Sequence, residues 1–162
     1  MFDQYIRRYG KRLYGLCLKL CTKSFEADDL YQDTWMRALR SIDQYDPCYP
    51  FEPWLTRICV NIYRNKLRRI ARSPVMLFRT VEEHDSILSE VPAPEQTDYG
   101  DLHAAIDLLP EKLRLTVILF YFQDMDVAST AAVLNIPQGT VKSRLNKARK
   151  LLKEVLTDET NI

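Results

Sequence analysis

Between Ser73 and Tyr99 the chain carries no sustained apolar period, and this gap constrains the architecture more than any other feature. The stretch holds Pro74, Pro92 and Pro94. From Glu82 onward it also holds Glu82, Glu83, Asp85, Glu90, Glu95 and Asp98, with Asp101 just beyond, and no Lys or Arg occurs from Glu82 to Asp101. Such a segment cannot supply a buried face, so it reads as a linker, with one short helix around Val81 to Leu88. The 162 residues then divide into a first lobe over 1–72, an acidic linker over 73–101 and a second lobe over 102–158.

Both lobes read as helical. In the first, Tyr5, Tyr9, Leu13, Leu16 and Leu20 recur at helical spacing, followed by Leu30, Thr34, Met36, Ala38 and Leu39 after an N-terminal cap in the Ser24 to Asp29 region. The segment DQYDPCYPFEP must be a loop, and a long helix starts near Pro53, with Leu55, Ile58, Cys59, Ile62, Leu67 and Ile70 on its apolar side. In the second lobe a helix opens at Pro110 with Leu113, Val117, Phe120 and Tyr121 inward. A short helix bearing Val127, Thr130, Ala131 and Leu134 follows, broken at Asn135-Ile136-Pro137. The last helix is expected to bury Val141, Leu145, Ala148, Leu152 and Val155. No stretch alternates like a half-buried strand, so the fold class is all-α: two small helical domains joined by a polar linker.

Charge is segregated although the total is only +1. Arg57, Arg64, Lys66, Arg68, Arg69 and Arg72 form one basic block without acids, and Lys142 to Lys153 form another. The second block lies on a helix that follows a short helix and a tight turn, which is the helix-turn-helix pattern. Subtracting its buried positions leaves Gln138, Lys142, Ser143, Asn146, Lys147 and Lys150 facing out. Lys142, Ser143, Asn146 and Lys147 carry the donors and acceptors that base edges require. Arg144, Arg149 and Lys150 suit phosphates. Charge alone leaves an ordinary basic surface helix equally good; the preceding helix and turn favour DNA.

In the first lobe Arg57, Asn61, Arg64, Arg68 and Arg72 share one helix face, a positive stripe carrying an amide. Tyr45, Tyr49 and Phe51 precede it, and Trp54 and Tyr63 lie on it. Aromatic rings beside a basic groove suit unstacked bases. Trp54 and Phe51 read as core, whereas Tyr45 and Tyr49 sit on a loop that exposes them. Asp28 and Asp29 near a helix start have a macrodipole explanation, but Asp33 lies further in. With Gln32 they form a negative, partly apolar face that would repel DNA and suits a protein partner.

In this order, ADDLYQDTWMRAL, FEPWLTRICVNIYRNKLRR, LLPEKLRLTVILFYF and IPQGTVKSRLNKAR resemble a bacterial extracytoplasmic-function (group 4) sigma factor over nearly the full chain. The resemblance implies that the first lobe handles the promoter −10 element and the second the −35 element. Asp29, Gln32 and Asp33 match the contact with core RNA polymerase. Asn61 matches the asparagine of the pocket that takes a flipped −10 base, and Tyr45 an aromatic of the loop beside it. Tyr49, Arg57, Arg64 and Arg68 join that −10 set. Lys142, Ser143, Arg144, Asn146, Lys147 and Lys150 fall on the −35 side. The resemblance also implies an anti-sigma factor, commonly membrane-anchored, as regulator. Two departures stand out. Ala128, Ser129 and Thr130 replace an acidic pair and a large aliphatic common in the family, so Thr130 either loosens packing or back-bonds to its helix. The loop Asp46-Pro47-Cys48-Tyr49-Pro50 is unusually rich in proline.

The longest apolar run, Val117 to Phe122, is too short to span a bilayer, and MFDQYIRRYG lacks the apolar core of a secretion signal, so a cytoplasmic protein is expected. Cys17, Cys21, Cys48 and Cys59 complete no metal-ligand set with His84 or His103 and read as reduced thiols; no metal, cofactor or enzymatic activity is expected. The rivals are a stand-alone helix-turn-helix regulator that binds duplex DNA by itself, and a helical adaptor that binds only proteins.

Overall fold

The computed structural model describes residues 2–72 and 100–160, so the linker and the short helix expected in it lie outside the described residues. In the first lobe, α1 spans Phe2–Leu20, α2 Ser24–Ser41 and α3 Phe51–Arg72, with a single tight turn at Ile42–Gln44. In the second, α4 spans Gly100–Asp107, α5 Glu111–Val117, α6 Val127–Leu134 and α7 Gln138–Thr160. No strand occurs among the described residues.

The periodic positions meet where expected. Leu16, Leu30, Leu55 and Val60 from the three helices of the first lobe are essentially inaccessible to solvent. Asp3 in the first turn of α1 and Lys19 in its last complement the helix dipole. The cap expected for α2 is absent: the helix begins at Ser24, and Lys23 before it makes no side-chain capping bond. Met36 and Leu39 are exposed rather than buried, because the buried seam of α2 runs through Ala27, Leu30, Thr34 and Ala38. Ile70 is likewise exposed at the end of α3.

In the second lobe, Ile106, Leu113, Val117, Ala131, Val141, Leu145 and Ala148 form a compact core. After Val117 the helix widens over Ile118–Phe122, and Gln123 N–H bonds back five residues to the Ile118 carbonyl at 3.1 Å. The wider turn shifts the phase. Ile118 and Leu119 turn inward, while Tyr121, expected inside, is 47% exposed. Val155, also expected inside, is exposed on the last turns of α7. Asp126 caps α6 by accepting the Ser129 N–H at 2.6 Å, a bond that holds its carboxyl below the usual carboxylate range. Asn135 ends α6 in the left-handed region at φ 56°.

Thr130 is fully buried on α6 and its hydroxyl oxygen finds no hydrogen-bond partner, so of the two fates expected for it back-bonding is excluded. An unpaired buried hydroxyl costs roughly 1–2 kcal/mol. Thr130→Val keeps the shape and removes the hydroxyl, and it should raise the melting temperature by about 2–6 °C. A calorimetric midpoint equal to or below that of the parent chain would contradict this.

The two lobes also pack on each other. Leu115, Ile118, Leu119, Val133 and Leu134 of the second lobe belong to the same buried cluster as Leu16, Leu30 and Leu55 of the first. Ile118–Phe122 lies against α1, and α6 lies against α3.

Candidate nucleic-acid interface

Helix α6, the turn at Asn135 and helix α7 assemble a helix-turn-helix whose second helix is anchored by Val141, Leu145 and Ala148, buried at i, i+4 and i+7. That anchoring leaves Lys142, Ser143, Asn146, Lys147 and Lys150 exposed, whereas Arg144 is half-buried. Some of their hydrogen-bonding capacity is already used. The Ser143 hydroxyl donates to the Thr140 carbonyl at 3.0 Å, leaving its oxygen as an acceptor. Asn146 Oδ1 accepts from Arg149 at 3.3 Å, which leaves the Asn146 amide protons as its free donors. Arg149 in turn donates Nε–H to the Tyr121 hydroxyl at 2.7 Å, with its guanidinium 5.7 Å from the ring centroid. Tyr121 and Arg149 thus orient Asn146. The apolar pattern had assigned Tyr121 to the core, and only the widened turn reveals it as a surface support.

In the first lobe an open groove of about 610 Å³ runs between α2 and α3. Asn61 and Arg57 border it from α3, with Trp54 at one end. Arg37 and Arg40 of α2 border it too, as does Arg69. The sequence reading counted Arg69 in the basic block but missed Arg37 and Arg40. Their signal was the i, i+3 spacing of Arg37 and Arg40 on the side of α2 left free by its buried seam. Asn61 is exposed, and among the described residues no hydrogen bond ties up its amide. Arg57, Arg68 and Arg72 are exposed as well. Arg64 departs from the stripe: it is half-buried and donates to the Leu134 carbonyl of α6 at 3.2 Å. Burial, with Arg144 and Arg68 nearby, pushes its guanidinium pKa down.

Tyr45 is less free than its loop position implied. Its ring packs against Trp54 and Phe51, with centroids 5.0 and 5.4 Å away, and its hydroxyl donates to the Tyr49 carbonyl. Phe51 is buried and stacks on Tyr5 of α1 at 4.1 Å. Tyr49 is 68% exposed.

Asp29 and Asp33 are brought together on one face of α2 by Lys66 of α3, which lies 2.9 Å from a carboxylate oxygen of each. Partial burial pushes the Lys66 ammonium down, but its hydrogen bonds to Asp33 and Asp29 outweigh this, and its pKa lies above the usual value. Gln32 is exposed and turns toward a separate groove between α1 and α2, beside Tyr14 and Tyr31. The free thiols are distributed by depth: Cys17 and Cys59 are buried with sulfurs 3.9 Å apart, Cys21 is half-buried and Cys48 is exposed. Among the described residues no His, Cys, Asp or Glu cluster has the makings of a metal site, and no helix is long and apolar enough to cross a membrane.

Comparison with known proteins matches residues 5–73 to the family described as Sigma-70 region 2 and residues 99–152 to Sigma-70, region 4. The chain is 30% identical over 165 residues to the RNA polymerase sigma-H factor of Pseudomonas aeruginosa, covering 96% of this chain and 86% of that one. It is 32% identical over 165 residues to the ECF RNA polymerase sigma factor SigE of Mycolicibacterium smegmatis, covering 99% of this chain but only 63% of that relative. Among solved structures it resembles the sigma factor RpoE in complex with the anti-sigma factor NepR from Bartonella quintana, with a TM-score of 0.74, 27% identity and 96% of each chain covered. CnrH in complex with the cytosolic domain of CnrY shares the fold, with a TM-score of 0.70 at 24% identity over 97% of this chain and 88% of that one.

Proposed function

The chain belongs to the extracytoplasmic-function branch of the sigma-70 family, and from that membership we propose that it directs core RNA polymerase to a class of promoters through −10 and −35 recognition. The observation that carries this reading is the pair of polar faces on two buried scaffolds. One is the unpaired Asn61 amide in an arginine-rimmed groove; the other is the exposed row Lys142, Ser143, Asn146 and Lys147 on α7. In this reading the protein is not itself an enzyme, and bond formation belongs to the polymerase.

In this reading the domain over 1–72 docks on core polymerase through Asp29, Gln32 and Asp33. It receives the −10 element at Tyr45, Tyr49, Arg57, Asn61, Arg64 and Arg68. The domain over 102–158 reads the −35 element, with Lys142, Ser143, Asn146 and Lys147 at base edges and Arg144 and Lys150 on phosphates. The two basic faces flank an acidic linker that DNA would repel, which supports a two-point grip. The protein acts in the cytoplasm, where its polymerase and promoters are. Likeness to a sigma factor crystallised with its anti-sigma factor supports control by such a partner, free or membrane-anchored, that covers these surfaces.

Run-off transcription decides between this reading and the stand-alone regulator. Core polymerase plus this chain should initiate from a subset of genomic promoters, and the chain without polymerase should shift promoter DNA only weakly. Tight, sequence-specific binding by the chain alone, with no transcript at any promoter, would establish the regulator instead.

A further inference from the structure

Arg149 is exposed on α7, yet two of its donors are already turned toward the protein. Its Nε–H goes to the Tyr121 hydroxyl at 2.7 Å, and one terminal nitrogen goes to Asn146 Oδ1 at 3.3 Å. The Tyr121 support is rooted in the fold. It stands on the widened turn Ile118–Phe122, and its ring meets Phe120 edge-on with centroids 5.0 Å apart. The guanidinium lies 5.7 Å from the Tyr121 ring centroid. A guanidinium has donors only, so the Asn146 atom that meets it is the carbonyl oxygen. Asn146 and Arg149 stand three residues apart on one helix, a spacing at which side chains are neighbours. Each link therefore fixes the next. The turn places the phenol, the phenol places the guanidinium, and the guanidinium sets which way the amide is turned.

That direction decides what the amide can read. An asparagine free to turn is the usual partner of adenine, accepting from the N6 amino group and donating to N7 in the major groove. On α7 the Asn146 carbonyl is engaged, and its second lone pair lies beside a guanidinium. A phenol is a neutral acceptor, so Tyr121 cancels none of that positive charge. Adenine would bring its amino protons up against the charge. Guanine presents two acceptors along the same edge, N7 and O6, which suit both the amide protons and the cation. Thymine offers one acceptor and cytosine a donor, so neither competes. Arg149, which charge alone assigned to a phosphate, is thereby drawn into base selection.

We infer that Tyr121 and Arg149 are positioning residues for −35 readout: they hold the Asn146 amide with its N–H groups outward, so that α7 selects guanine over adenine at the base pair Asn146 meets. The inference deepens the sigma-factor reading and rests on it. Tyr121 acts through Arg149 and touches no base, so its removal alters the choice at one base pair without altering the rest of the recognition face.

The test uses promoter duplexes randomised across the −35 element, captured by core polymerase loaded with the full chain and then sequenced. Asn146→Ala locates the base pair, as the one position whose preference it erases. There the wild-type chain should favour guanine over adenine about tenfold, which is 1.4 kcal/mol. Tyr121→Phe keeps the ring and deletes the acceptor, and it should bring that ratio to about threefold or less, with the other positions unchanged. Arg149→Ala cuts the relay one step later and should lower the same ratio to the same extent. A wild-type preference for any base other than guanine at that position overturns the relay. So does a ratio that survives either variant, and so does an Asn146→Ala chain that erases no position. A loss spread evenly over all positions also overturns it, since a merely structural Tyr121 would act in that way. If the loaded polymerase captures nothing, the sigma-factor reading falls, and the same ratio is read from duplexes retained by the chain alone. A chain that retains none overturns the relay as well.

Discussion

Asn61→Ala should slow open-complex formation about 10- to 100-fold while leaving core-polymerase binding within about twofold, the loss corresponding to one or two hydrogen bonds from a base edge. Asn61 stands exposed on α3 with its amide unpaired, beside Arg57 and across the groove from Arg37 and Arg40. Among the described residues it makes no internal bond, and it lies away from the buried seam of Leu55, Cys59 and Tyr63. An amide offers both a donor and an acceptor to the Watson–Crick edge of an unstacked base, and the arginines hold the flanking phosphates. Permanganate reactivity of unpaired thymines gives the rate of opening, and fluorescence anisotropy with labelled chain gives polymerase affinity. Equal losses in the two measurements would remove Asn61 from base capture.

Leu119→Ala should destabilise the protein by about 2–5 kcal/mol and lower its melting temperature by about 4–20 °C. Leu119 is fully buried where the widened helical turn meets α1, and it belongs to the cluster that includes Leu16 and Leu30. The chain has two tryptophans, Trp35 and Trp54, both in the first lobe. A cavity cut in the second lobe should therefore move the melting curve read by tryptophan fluorescence in the first. Were the two lobes independent, that curve would stay put while the far-ultraviolet signal lost only part of its amplitude early.

Much of this was legible in the residues themselves. The 3.6-residue rhythm of Leu13, Leu16 and Leu20 located α1, and that of Val141, Leu145 and Ala148 located α7. The polar remainder on α7 then followed by subtraction. Tyr121 was misassigned because periodicity assumes an unbroken helical phase, and one widened turn shifts everything after it. Met36 and Leu39 were misassigned because an apolar side chain does not say whether its neighbours cover it. The junction between the lobes left almost no trace. Arg64 read as one more cation of the positive stripe, and its bond to the distant Leu134 carbonyl has no sequence period to betray it. The junction follows from how the helix ends meet in space.

The ring block around Phe51 has a consequence for where the effort of promoter opening falls. Tyr5, Phe51, Trp54 and Tyr45 lock the loop at residues 45–50 to α1 and α3, so the loop holds its shape before any strand arrives. A stiff receptor cannot mould itself around a base; it waits for one to be presented. In the proposed reading, the rearrangement on −10 binding then falls to the nucleic acid, and the protein's part is to keep a seat of fixed form ready.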